Sequence, residues 1–230
     1  CAGFSRVIAR PYAKRRPPRR SAACSIACEA ERCPVTLFFS LWPDELARAG
    51  LADRAELIRR QHPTPGAWFE AARYHLTLHA VKAKPEHEAA WMDKTRTAAA
   101  QVRAAPFELR IDQAGSFPNQ ERIPWWLGCT QTPPGLTLLW RELRDVLKQH
   151  GVPVFSNPLT PHLTLVYNAR RDLPERPVPP LTWAVRDFAL LRSRQGDPNE
   201  RGSSLAYELL GRWPLNGGPD HAPQRDLWDN

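Results

Sequence analysis

Residues 74–78 read YHLTL and residues 159–165 read LTPHLTL, so the tetrapeptide His-Leu-Thr-Leu occurs twice, at 75–78 and at 162–165. Both stretches read as strands. Successive side chains on a strand point to opposite faces, so Leu76 and Leu78 share one face while His75 and Thr77 share the other. Leu163, Leu165, His162 and Thr164 repeat that arrangement. The leucines supply core, and a histidine and a threonine are left on the other side. One such motif is an ordinary half-buried strand, but the same polar pair on the same face of two strands is hard to explain by packing.

The chain around the first copy alternates strand and helix. VTLFFSLW, from residue 35, is a β-branched and aromatic run of strand length, and PDEL after it supplies the proline and acids of a helix first turn. That helix is expected over roughly 44–61, with Leu46, Leu57 and Ile58 among its apolar positions, and it stops before the loop HPTPG. After the strand YHLTLHAV, the Ala-rich and charged segment 85–105 reads as a second helix.

Around the second copy, FELRIDQAGSF alternates Phe107, Leu109 and Ile111 as a half-buried strand does, and RIPWWLGCT reads as its neighbour. Residues 133–151 carry Leu136, Leu139, Leu143 and Leu147 at helical spacing and end in Gly151. LTPHLTLVY is a strand, and FALLRSR with SLAYELLGRWPL reads as a hairpin joined by QGDPNERGS. Each half thus holds strands, a helix and one HLTL strand, which points to an α+β fold of two similar lobes related by a pseudo-twofold axis, roughly 35–105 and 106–215.

The 230 residues carry a formal charge of +8, but its location matters more than its size. Residues 1–33 hold Lys14 and seven arginines against two glutamates, leaving 24 basic against 22 acidic residues from position 34 onward. Residues 1–34 read as a disordered basic tail and 216–230 as a flexible C-terminal tail. An Arg-rich leader and an RNA-attracting arm are the functional alternatives for the first segment.

No apolar run approaches the ~18 residues of a membrane span, so no transmembrane helix is expected. Four of the five cysteines lie in the basic segment and Cys129 stands alone in the body, which gives no disulfide framework and points to a reducing cytoplasm. The C-x3-C-x4-C spacing of Cys24, Cys28 and Cys33 lacks a fourth metal ligand. No metal and no cofactor are expected.

Two imidazoles facing each other have a clear use. With an unperturbed pKa near 6.5, one can be neutral and act as base while the other is charged and acts as acid. That division suits phosphodiester cleavage: one histidine draws a proton from the attacking water, the other protonates the departing ribose oxygen, and threonine hydroxyls bind the non-bridging oxygens.

The paired H-x-T-x motifs HLTLH and HLTLV, with LFFSLWPDEL, PFELRIDQAGSF and LAYELLGRWPL, resemble the RNA 2',3'-cyclic phosphodiesterase (2'-5' RNA ligase) family of the 2H phosphoesterase superfamily, over residues 35–215. The resemblance implies antiparallel sheets lining a central cleft with helices outside. It also implies metal-independent hydrolysis of 2',3'-cyclic phosphates to 2'-phosphates, and in some members 2'-5' ligation. His75 and His162 match the family's histidines and Thr77 and Thr164 its phosphate-binding hydroxyls, with the second histidine assigned to the water and the first to the leaving group. RNA ends or nucleotide cyclic phosphates are the implied substrates of a cytoplasmic monomer. Many members carry an arginine where this chain has Tyr167, with Arg170 and Arg171 just beyond.

Other residues give weaker signals. Phe38 and Ser40 are candidates to line the cleft, with a core role the alternative for Phe38. Tyr167 falls on the leucine side if alternation continues, so packing is the expected role and base stacking the alternative, with Arg170 a further substrate contact. His79 is expected at the rim. Trp125 and Trp126 face opposite ways, so one at most can stack on a base. His62, His87, His150 and His221 read as surface residues without partners. A non-catalytic RNA-end-binding protein, or a related enzyme for another small cyclic phosphate or a 2'-5' oligonucleotide, is the alternative reading.

Overall fold

The computed structural model describes residues 35–81, 88–117, 123–155, 158–194 and 207–217. The basic segment 1–34 with Cys24, Cys28 and Cys33, the loop joining the C-terminal hairpin, His87, His221 and residues 218–230 lie outside the described residues.

Nine strands form one antiparallel sheet: β1 (Val35–Leu41), β2 (Ala67–Trp68), β3 (Leu76–Val81), β4 (Phe107–Ser116), β5 (Ile123–Gly128), β6 (His162–Ala169), β7 (Arg176–Val185), β8 (Asp187–Arg194) and β9 (Tyr207–Pro214). Their order is β7-β4-β5-β6-β3-β1-β8-β9, with the short β2 added on β6. The sheet is two four-stranded halves joined where β6 meets β3, and a single pair, Leu76 with Leu163, makes that joint. Each half presents an HLTL strand at the joint. The C-terminal hairpin β8–β9 pairs with β1 in the first half, so a division of the lobes at residue 105 does not hold: the chain returns to the half it started from.

Three helices pack on one face of this sheet and share its main core. In α1 (Glu45–Gln61) the Asp44 carboxylate accepts from the Ala47 amide at 2.8 Å, capping the first turn. Ala47, Leu51, Ala55 and Ile58 form its buried stripe. Leu46 stands one position off that stripe and is 84% exposed, against the sequence expectation. The second helix, α2 (Glu88–Ala99), ends six residues short of the expected boundary. In α3 (Pro134–Gln149), Leu136, Leu139, Leu143 and Leu147 are all fully buried as their spacing predicts, and Gly151 closes the helix with a φ of +66° that favours glycine.

The strand β7 is not evident in the sequence because Pro177, Pro179 and Pro180 interrupt it. Its place at the sheet edge explains how they are tolerated: an edge strand can spare the missing N–H groups. Asn216 does not begin a free end, since the Gly217 amide still donates to the Ala104 carbonyl at 3.1 Å. Among the described residues no helix is long and apolar enough to cross a membrane.

Candidate active site

Both copies of the motif carry the same irregularity. In β3, Phe39 pairs with His79 and Ser40 with Thr77, leaving Leu78 without a partner in β1. In β6, Trp125 pairs with Val166 and Trp126 with Thr164, leaving Leu165 without a partner in β5. A bulge therefore falls on the last leucine of each HLTL, and it turns the next residue toward the helices. His79 and Val166 are that next residue. His79 is not at a rim: it is 3% exposed, donates from Nε2 to the Trp140 carbonyl at 2.8 Å, and stacks on the Trp140 ring.

Upstream of the bulges, His75, Thr77, His162 and Thr164 face away from the helices. The register of the Leu76–Leu163 pair, extended one residue each way, runs His75 against Thr164 and Thr77 against His162. The imidazoles sit close enough for charge on His162 to lower the pKa of His75.

Both rings are held by the same device. His75 Nδ1 bonds to the Arg73 carbonyl at 2.8 Å and His162 Nδ1 to the Thr160 carbonyl at 2.7 Å, in each case two residues upstream. A carbonyl only accepts, so Nδ1 carries the hydrogen and Nε2 is left with its lone pair for chemistry. Aromatic rings pack around both imidazoles. Phe38 and Tyr207 lie 5.0 and 4.9 Å from His75 between centroids, and Phe117 lies edge-on 4.9 Å from His162. Phe117 in turn packs on Trp126, whose neighbour Trp125 is buried in the helix-side core.

Burial is the main cause that lowers the His75 pKa, to about 4; the Arg73 carbonyl opposes it, and the charges of His162 and Arg73 add to it. Burial lowers His162 as well, against the Thr160 carbonyl. Both imidazoles are therefore neutral near pH 7 until an anion arrives to favour the charged form.

Several expectations need correction. Tyr167 lies beyond the second bulge, so it sits on the histidine side of β6 rather than the leucine side, edge-on to Phe69 at 5.2 Å. Arg170 is exposed one residue past β6. His62 and His150 are half-buried and do have partners: Arg176 contacts His62, and His150 bonds to the Val146 carbonyl and to Gln101. Arg73, Phe117, Tyr207 and Phe69 were not singled out by the sequence. Only Arg73 had a local signal, its position two residues before the first motif. Among the described residues, no three His, Cys, Asp or Glu side chains are grouped to hold a metal ion.

A sequence profile of the 2'-5' RNA ligase superfamily matches residues 42–197. The chain belongs to that superfamily. Within the 2'-5' RNA ligase superfamily it is 31% identical over 188 residues to the RNA 2',3'-cyclic phosphodiesterase of Escherichia coli (strain K12), covering 79% of this chain and 97% of that protein. The crystal structure of E. coli LigT in its apo form is similar at 28% identity with a TM-score of 0.61, covering 79% of this chain and 97% of LigT. A crystal structure from Thermus thermophilus shares the fold, at 24% identity and a TM-score of 0.60, over 79% of this chain and 98% of its own.

Proposed function

We propose that the protein hydrolyses 2',3'-cyclic phosphates, on RNA ends or on nucleotides, to 2'-phosphates by paired histidine acid–base catalysis. The observation that carries this reading is the matched anchoring of His75 and His162, which leaves two Nε2 atoms free beside one sheet joint. The name of the E. coli relative, an RNA 2',3'-cyclic phosphodiesterase, supports the substrate class. E. coli LigT has also been crystallised with 3'-AMP and with phosphate.

In the reaction, Nε2 of one neutral imidazole takes a proton from water as the water oxygen bonds to phosphorus. The bond from phosphorus to the ribose 3' oxygen breaks, and that oxygen receives a proton from the other imidazole in its charged form. Thr77 and Thr164 donate to the non-bridging oxygens as negative charge shifts onto them. His162 serves the water and His75 the leaving group. The substrate is itself an anion, so its arrival raises the pKa of the histidine that must hold a proton. With an RNA 5'-hydroxyl attacking phosphorus in place of water, and the bond to the 3' oxygen breaking as before, the same groups give a 2'-5' linkage. The reading includes a monomer in the cytoplasm, where Cys129 remains a thiol.

The test is incubation with 2',3'-cyclic AMP and with cyclic-phosphate-ended RNA, in the presence of EDTA, followed by identification of the monoester. A 2'-phosphate from both is expected. Tight binding of the RNA end with no turnover would instead make the protein a binding module.

A further inference from the structure

The Arg73 guanidinium is held in an unusual way. It lies 4.1 Å over the Phe69 ring centroid and 5.6 Å from that of Tyr207. Tyr207 stands edge-on to His75 at 4.9 Å and packs on Phe38 at 5.3 Å. The guanidinium is therefore one aromatic ring away from the first imidazole, on the same wall. Phe69 continues that wall to Tyr167, on the strand that carries His162.

Several other arginines of the fold are engaged away from the site. Arg54 donates to the carbonyls of Gly50, Pro179 and Pro180, Arg96 to that of Leu210, and Arg171 to that of Pro63. Arg110, Arg192 and Arg212 pair with Asp112, Glu208 and Asp187. Arg73 makes no ion pair among the described residues, and its buried Nε has no hydrogen-bond partner. A buried donor left unmade is costly. Aromatic faces orient a guanidinium without neutralising it, so its charge and its planar fork of donors remain available to an anion.

We propose that Arg73 binds the non-bridging oxygens of the phosphate held between His75 and His162, so that its side chain fixes the substrate while its carbonyl fixes the histidine. This rests on the cyclic-phosphate reading. A guanidinium there donates charge-assisted bonds to the phosphate oxygens and balances the charge that gathers on them as water attacks. It also explains how a half-buried histidine pair with low pKa values attracts an anion: the local positive charge comes from the guanidinium beside it.

The test uses the full chain, wild type and Arg73→Gln, with 2',3'-cyclic AMP, cyclic-phosphate-ended RNA, and inorganic phosphate as the inhibitor. R73Q is expected to lose about 10- to 100-fold in kcat/KM on both substrates, the size of one charge-assisted contact. The inhibition constant for phosphate should rise by about 10-fold, and the pH profile of kcat/KM should shift upward, because the charge that disfavours protonated His75 is gone. Unchanged kcat/KM and phosphate inhibition in R73Q overturn the proposal, as does a loss confined to RNA, which would place Arg73 on an upstream phosphate. If R73Q melts far below the wild type, Arg73→Lys decides in its place: weaker phosphate inhibition supports the assignment and unchanged inhibition overturns it. Should the wild type cleave no cyclic phosphate, the functional reading fails by itself, and calorimetric binding of phosphate to wild type and R73Q still tests Arg73.

Discussion

Leu76 pairs with Leu163 across the joint of the two half-sheets, and this one contact sets the site. Its antiparallel register brings each histidine beside the threonine of the other motif. Thr77 and Thr164 therefore flank the joint from both sides, where the proposed reaction puts the phosphate. Thr77→Val and Thr164→Val keep the shape of the side chain and remove the donor. Each should cost about 10²-fold in kcat on 2',3'-cyclic AMP, with KM changed much less. A rise in KM alone would mean that the hydroxyls bind substrate and transition state equally well.

The proposed acid–base pair fixes a pH dependence. In the free protein both histidines are pushed below 6.5, His75 to about 4, mainly by burial. Turnover needs one of them neutral and one charged, so kcat/KM should follow a bell whose maximum lies on the acid side of 6.5. The two limbs belong to the pair as a whole. Bound phosphate favours the charged form, so the kcat profile should sit at higher pH than that of kcat/KM. Rate profiles from pH 4 to 9 check both; a kcat/KM optimum near 8 would contradict them.

Phe117 packs edge-on against His162 at 4.9 Å, as Tyr207 does against His75, while Phe38 packs on His75 at a tilt. Phe117→Ala should lower kcat by roughly 10-fold or more, since a small displacement of a reacting group is expensive. Steady-state kinetics on the folded variant is the check, and unchanged kcat would show that the Thr160 carbonyl alone orients the ring.

His79 lies on the helix side and bears on stability. Burial lowers its pKa to about 4, with the Trp140 carbonyl opposing. The unfolded chain, with an ordinary histidine, binds more protons than the folded one between those values. The folded protein is thus penalised as pH falls from about 6.5 toward 4, by on the order of 3 kcal/mol when the shift is fully expressed. His79→Gln keeps a donor for the Trp140 carbonyl and removes the titration. Urea unfolding at pH 7 and pH 4.5 should show a smaller pH-dependent loss for the variant than for the wild type; equal losses would place the titration elsewhere.

Much of this was legible in the sequence because it is periodic. The leucines of α3, the α+β alternation and the two HLTL strands follow from spacing alone. What spacing could not show were its own interruptions. A bulge adds one residue to a strand without leaving a mark in the sequence, and it reversed the faces of His79 and Tyr167. The prolines of β7 hid a strand that only an edge position permits. Phe117 and Tyr207 lie beyond any local pattern, since Phe117 reaches its histidine from just past the end of β4 and Tyr207 from β9. The same holds for the return of β8 and β9 to the first half, a pairing over long sequence separation that no local propensity reports.

In the proposed reaction His75 and His162 act together on one phosphorus atom. The most direct measurement is the turnover of 2',3'-cyclic AMP by His75→Ala, His162→Ala and the double variant, beside the affinity of each for 2'-AMP. Each single variant should lose about 10²- to 10⁴-fold in kcat, and the double variant should lose little more than the worse single one, as groups acting as a unit do. Binding of 2'-AMP should survive in all three. Single variants that turn over at the wild-type rate would contradict the account, as would two losses that multiply in full.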